Sequence, residues 1–232
     1  MSNVMSNATE NPPTPPEQVI WTDRVPRSAR YDDPYYSLQD GLAETRHVFL
    51  KGNDLPGRFR NGFQVGELGF GTGLNALATL DAWREAGVEG RFKFTSFEAH
   101  PMPVDDMARA LAAFPDLADD AATLCRHWAD GARELCIGAM DLHVVIGAAD
   151  AELPEWPGKA DAWFLDGFAP ARNPEMWSAE LMQSVAERTR DGGSFATYTA
   201  ARQVRDNLEN AGFTVIRCNG FGRKRHMCRG VL

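Results

Sequence analysis

Apolar positions along the chain come in short blocks whose spacing switches between a strand-like period of two and a helix-like period of three to four. Residues 63–68 form one such block, and a helical spacing follows at once over 74–86. Residues 92–95 alternate Phe-Lys-Phe-Thr, as a half-buried strand does, and Phe97 and Glu98 close it. Helices are expected over 104–114, stopped by Pro115, and over 117–129. Residues 141–146 carry Leu142, Val144, Val145 and Ile146, a run typical of a parallel strand covered on both faces. A strand over 160–168, a helix over 178–190, a turn at 191–193 and a strand over 194–199 follow. A helix over 200–211 capped by Gly212, and strands over 213–218 and 226–231 joined by a turn at 219–222, complete the pattern. Strands that alternate with helices and then close on a two-strand hairpin predict an α/β fold. The expected sheet is seven-stranded and mostly parallel, with an antiparallel edge strand.

The pattern weakens toward the N-terminus. Residues 19–60 mix Trp21, Tyr31, Tyr35 and Tyr36 with acids and short apolar groups, so one or two small strands and a short helix near 41–49 are expected. They read as an extension laid over a main domain of residues 61–232. Residues 1–18 are polar and rich in proline, with almost nothing to bury, and read as a disordered tail.

Composition narrows the class. A chain of 232 residues with 44% hydrophobic residues is long enough for one full core. The net charge of -8 argues against indiscriminate nucleic-acid binding, although it allows a local basic face. Four cysteines without C-x-x-C spacing suggest neither a zinc site nor a redox pair, so no metal and a reduced, cytoplasmic protein are expected. No apolar run reaches the ~20 residues of a membrane span, and no membrane partner is expected.

The densest chemical signal is the stretch 63–75, FQVGELGFGTGLN. Gly69, Gly71 and Gly73 let the backbone turn sharply and let a ligand come close, and the helix behind them offers free N–H groups. A structural turn could carry the same glycines. A dinucleotide fingerprint needs G-x-G-x-x-G, and neither glycine register supplies it in full. Glu67, two residues before three alternating glycines, instead resembles motif I of the class I S-adenosylmethionine-dependent methyltransferases with a Rossmann-like sheet. That resemblance implies a cofactor site of Glu67, Gly69, Phe70, Gly71, Gly73 and Asn75. Glu98 lies 25 residues past Gly73, where a βαβ unit sets an acid against ribose hydroxyls. The strand over 141–146 ends in Gly147-Ala148, where such enzymes commonly have an acid for the adenine amine. Asp150 is expected to substitute for it.

Asp166, followed by Gly167 at the end of the fourth strand, is the candidate catalytic residue, and both are expected to touch the cofactor. A carboxylate there would bind and orient an attacking amine first and act as base second, because it also favours the unreactive ammonium. From 217 to 232 the chain has Arg217, Arg223, Lys224, Arg225 and Arg229 and no acid, a basic patch suited to phosphates.

The segment 166–177, DGFAPARNPEMW, makes the resemblance specific. Together with 33–37 (DPYYS), 41–46 (GLAETR), 96–98 (SFE) and 221–225 (FGRKR), it resembles the methyltransferase domain of the bifunctional bacterial tRNA 5-methylaminomethyl-2-thiouridine biosynthesis proteins and of their stand-alone relatives. The resemblance implies methyl transfer from S-adenosylmethionine to the amine of a 5-aminomethyl group on a wobble uridine in a tRNA anticodon loop. Tyr35, Tyr36, Phe168 and Trp177 become candidates to stack on the base, and Arg172, Arg223, Lys224 and Arg225 to hold RNA; each aromatic suits a core position equally well. Two-domain members carry a flavin oxidoreductase after this domain. None is expected in this chain, and a separate enzyme would supply the amine. Arg172 stands where lysine is common, and His226 where a glutamate often follows the basic run. Two other readings share part of the pattern. A small-molecule amine methyltransferase or a polyamine aminopropyltransferase would have the glycine turn and an aspartate facing an amine, and a non-catalytic RNA-binding module would have the basic run.

Overall fold

A computed structural model describes residues 17–37 and 40–232. The expected tail falls largely outside the described residues. Its last members do not: Glu17 is buried, its N–H donates to the Pro101 carbonyl (3.3 Å), and its Oε1 accepts from Ser28 Oγ (2.8 Å). The ordered chain therefore starts before residue 19.

A small antiparallel sheet of β1 (Val19–Thr22), β2 (Val25–Ser28) and β3 (Asp33–Pro34) comes first. α1 (Gly41–Thr45) follows, capped by Asp40 Oδ1, which accepts from Ala43 N at 2.9 Å. It runs on through a π-turn over Arg46–Leu50 and a 3-10 turn over Lys51–Asn53. Then come β4 (Gln64–Leu68), α2 (Leu74–Glu85), β5 (Phe92–Glu98), α3 (Val104–Leu111) and α4 (Ala118–Ala129). β6 (Glu134–Ile137), β7 (Met140–Ile146), α5 (Ala149–Glu152), β8 (Ala160–Leu165) and α6 (Ala179–Glu187) continue the alternation. β9 (Thr189–Thr197), α7 (Arg202–Asn210), β10 (Thr214–Asn219) and β11 (His226–Val231) end it.

The main sheet has the order β10-β11-β9-β8-β4-β5-β7-β6. β4 pairs in parallel with β5 on one side and β8 on the other, so the connections leave it in opposite directions and open a crevice at its C-terminal end. Two details differ from the sequence expectation. The described sheet has eight strands, because β6 forms a hairpin with β7 through Gly138 and Ala139; its exposed-buried alternation lasts only four residues, too short to stand out in the sequence. The antiparallel C-terminal strand β11 is not at the edge: it inserts between β9 and β10, and antiparallel β6 takes the far edge.

The sheet separates two apolar cores, as the period of two along each strand requires. On one face Val65, Phe94 and Phe164 pack with Leu77 and Leu80 of α2 and Leu124 of α4. On the other, Leu68, Phe97, Trp163 and Phe195 pack with Leu181 of α6 and Leu208 of α7. Gly66 makes room for the Trp163 ring, since a Cβ there would come within 2.6 Å of it. Residues 41–59 belong to the first core: Val48, Phe49 and Leu50 are buried, and Phe49 stacks on Phe164 at 5.3 Å. Asn53 ties this segment to the sheet, its Nδ2 donating to the Phe49 and Trp163 carbonyls. A boundary at residue 60 thus cuts through one packing unit. The small sheet alone is laid on the surface, where Trp21 donates to Asp106 (2.7 Å) and lies under the Arg109 guanidinium (3.8 Å) of α3.

Candidate active site

A cavity of about 380 Å³ opens at the C-terminal ends of β4, β5 and β8, roofed by residues 31–37 and by the β10–β11 turn. Its floor is the glycine turn. Gly69 and Gly71 have φ of +90° and +54°, and a Cβ on Gly69 would come within 2.6 Å of the Asp166 carbonyl oxygen. Only glycine adopts this backbone without strain and admits the neighbouring strand end so closely.

Two carboxylates fix the turn from opposite sides. Glu98, ending β5, accepts from Gly71 N (3.0 Å) and from His100 N (2.7 Å), one bond to each oxygen. Burial raises the carboxyl above its ordinary range, opposed by these two bonds and by the Phe70 backbone N–H. Asp166, following β8, accepts from Asn75 Nδ2 at 2.7 Å. The second hydrogen of the same amide goes to Glu67 Oε1 (2.9 Å), and Thr45 Oγ1 donates to Asn75 Oδ1 (2.8 Å). Ser96 Oγ occupies the remaining oxygen of Glu67 at 2.6 Å. Both hydrogens of the Asn75 amide are therefore committed and its oxygen is held, and it aims Asp166 into the cavity. Burial pushes the Asp166 carboxyl up to about 7, opposed by the Asn75 bond and the Lys224 charge and assisted by Glu44. Such a group changes charge near neutrality, as a base for a cationic amine requires.

The roof carries the aromatics. Phe168 stacks on Tyr31 (4.8 Å) and meets Tyr35 edge-on (5.2 Å). Asp33 accepts from Ala169 N (2.9 Å), which pins the 166–169 loop beneath this cluster. Tyr198 donates to the Gly167 carbonyl at 2.8 Å. At the mouth, Lys224 Nζ pairs with Glu44 Oε1 (3.0 Å) and lies 3.8 Å from the centre of the Tyr198 ring.

Of the residues singled out from sequence, Gly69, Phe70, Gly71, Asn75, Glu98, Asp166 and Gly167 line the cavity. Tyr35, Tyr36, Phe168, Arg223 and Lys224 do so from above. The others lie elsewhere. Glu67 is fully buried, and its hydrogen bond to the site runs through Asn75. Gly73 is the N-cap of α2, against Phe70 and Leu124. Asp150 is exposed on the first turn of α5, and Ala149 faces the cavity instead, so the expected substitution for an adenine contact is corrected. Trp177 is buried and donates to the Phe168 carbonyl (2.8 Å), which makes it a prop for the loop rather than a stacking platform. Arg172 is engaged by Asp32 (2.7 Å) and the Tyr31 carbonyl (3.2 Å) on the outside of the roof. Arg225 is exposed on the turn beyond the mouth.

Sequence reasoning missed Glu17, Asp33, Glu44, Thr45 and Tyr198, all of which line the cavity. Asp33, Glu44 and Thr45 lie inside the two N-terminal segments that carry the resemblance, and that was their signal. Glu17 and Tyr198 had none.

A family model for S-adenosyl-L-methionine-dependent methyltransferases matches residues 115–232. The tRNA 5-methylaminomethyl-2-thiouridine biosynthesis bifunctional protein MnmC of Caulobacter sp. (strain K31) is 46% identical over 241 residues, covering 98% of this chain and 39% of the relative. The protein of the same name from Caulobacter vibrioides is 47% identical over 222 residues, covering 92% of this chain and 38% of the relative. This chain thus spans about two fifths of the length of these curated relatives. The crystal structure of MNMC2 from Aquifex aeolicus superposes with a TM-score of 0.76 at 24% identity, over 95% of this chain and 72% of that one, and so shares its fold. With the matched family model reaching across half the chain and a glycine turn flanked by Glu98 and Asp166, the chain belongs to the S-adenosyl-L-methionine-dependent methyltransferases.

Proposed function

We propose that this chain methylates the primary amine of a 5-aminomethyl group, 2-thiolated or not, on the wobble uridine of tRNA, giving the 5-methylaminomethyl product. The observation that carries the reading is a single cavity with carboxylates on its floor and Arg223 and Lys224 at its mouth. Carboxylates suit a cationic cofactor and an amine, and the basic rim suits RNA phosphates. The names of the Caulobacter relatives support the same substrate class.

The residues present fit S-adenosylmethionine. Its ammonium and sulfonium suit a floor where Glu98 and Asp166 replace the arginines or lysines a phosphate would need, and its ribose hydroxyls suit the carboxylate of Glu98 at the end of β5. When bound, it supplies a methyl group made electrophilic by a positively charged sulfur. Gly69, Phe70, Gly71 and Gly167 let the ligand lie against backbone, and Asn75 keeps Asp166 turned toward it. Asp166 holds the incoming amine on its free lone pairs and, as the carboxylate, is placed to take the proton that an ammonium must lose before it attacks. Tyr35, Tyr36 and Phe168 shield that point from water and offer faces for a flipped base. The anticodon loop of tRNA in the cytoplasm is the partner.

The test is mass spectrometry of wobble nucleosides after incubation of the protein with S-adenosylmethionine and tRNA from a strain lacking this methylation. Conversion of 5-aminomethyl to 5-methylaminomethyl nucleosides is expected. Methylation of free polyamines with no change in tRNA would overturn the reading.

A further inference from the structure

Glu44 has no part in the chemistry so far described, yet it is a buried carboxylate, its side chain only 10% exposed. Ser37 N donates to its Oε2 (3.0 Å), and among the described residues the one cation within ion-pair reach is Lys224, at Oε1 (3.0 Å). The two ends of this pair are anchored very differently. Glu44 is on α1, whose neighbours Leu42 and Thr45 are buried and whose cap is satisfied. Tyr198, whose ring face receives the same ammonium, is fastened to the Gly167 carbonyl beside Asp166. Lys224 instead comes from the β10–β11 turn on a flexible four-carbon stem, and its side chain is 45% exposed.

We infer that Glu44 and the face of Tyr198 form the seat for the substrate's primary ammonium, and that Lys224 fills this seat in the free protein. The inference rests on the amine-methylation reading above. A carboxylate and an aromatic face converging on one point are a recognition site for an alkylammonium. The lysine head, a primary ammonium on a methylene, is chemically the same group as a protonated aminomethyl. Glu44 and Lys224 both act electrostatically on Asp166, so an ammonium in this seat is near the group that takes its proton. A buried carboxylate left alone is strongly disfavoured, so one cation must replace the other rather than simply leave. The exchange frees Lys224 for phosphate at the moment RNA arrives.

The proton count is direct. The substrate enters as an ammonium held by Glu44, passes one proton to the Asp166 carboxylate, and becomes a neutral amine with its lone pair free; Asp166 becomes the neutral acid. An uncharged hydroxymethyl group would lose the pairing with Glu44, so the seat selects amine over alcohol.

Calorimetry with the nucleoside 5-aminomethyluridine, on protein saturated with S-adenosylhomocysteine, tests this. Lys224→Met removes the occupant, and binding at least fivefold tighter than in the wild type is expected. Glu44→Gln keeps the shape and the Ser37 bond, and at least tenfold weaker binding is expected with an unchanged melting temperature and S-adenosylhomocysteine affinity. Neither variant should alter binding of 5-hydroxymethyluridine. On tRNA, Glu44→Gln should raise KM far more than it lowers kcat. Equal nucleoside affinity in all three proteins, or no nucleoside binding in any, would overturn the seat while leaving tRNA methylation by the wild type intact. A wild type that methylates no tRNA would instead sink the functional reading and the seat with it.

Discussion

Ionisation of Asp166 should control how tightly the cationic cofactor binds, and the structure sets the size of the effect. Burial holds this carboxyl near 7 in the free protein, with Glu44 adding to the shift and Asn75 and Lys224 opposing it. A bound sulfonium and ammonium favour the ionised form, so binding releases a proton and weakens as pH falls below 7. The observed association constant follows the ionised fraction, which drops from one half at pH 7 to roughly a thirtieth at pH 5.5. The expected loss is therefore roughly fifteenfold, or about 1.6 kcal/mol. The ligand's α-amino group, with a typical pKa of about 7.7, is already mostly protonated at pH 7 and offsets this loss by well under about twofold. Calorimetry of S-adenosylmethionine from pH 5.5 to 7, repeated in buffers of different ionisation enthalpy, gives both the affinity and the proton released. Asp166→Asn should flatten the profile, which separates this group from Glu98. A wild-type affinity constant within twofold over the window would refute the reasoning, because it would mean that Asp166 is ionised throughout or remote from the ligand's charge.

Three further outcomes are expected. Asp166→Ala should abolish methylation at least a hundredfold while leaving far-UV dichroism and the melting transition cooperative, since the side chain faces the cavity and supports no apolar packing; unchanged turnover would place the reacting centre elsewhere. Asn75→Ala strips Glu67 of one of its two bonds and Asp166 of its anchor, at a cost of about 1–3 kcal/mol for each buried group left unpaired. A thermal melt measures that loss, and the pH–rate profile should move its acid limb to higher pH, because the Asn75 bond, with the Lys224 charge, holds the Asp166 carboxyl down. Arg223→Gln with Arg225→Gln should weaken tRNA binding and reduce the slope of log K against log salt by about one to two units. A slope equal to that of the wild type, measured by filter binding, would remove the β10–β11 turn from the RNA face.

Local sequence determined what depends on neighbours in the chain. The glycine turn, the helix behind it and the acids at strand ends were legible because turn geometry, helix starts and the period of two are set within about ten residues. Asp166 and Glu98 could be named from their place at the ends of apolar runs. What required three dimensions was who faces whom. Glu67 and Asn75 lie in one motif, but only the folded sheet shows that the first is sealed beneath the second and that Asn75 reaches Asp166 across 91 positions. Trp177 looks the same in sequence whether it stacks on a base or props the Phe168 carbonyl, because a period of three or four does not say which face is covered. Likewise β11 reads as a terminal strand, and only long-range pairing inserts it between β9 and β10. The Glu44–Lys224 pair spans 180 positions and joins two segments with no local pattern in common. Tertiary packing decided that contact, because burying a carboxylate is tolerable only where the rest of the fold delivers partners to it, here a backbone N–H and a cation.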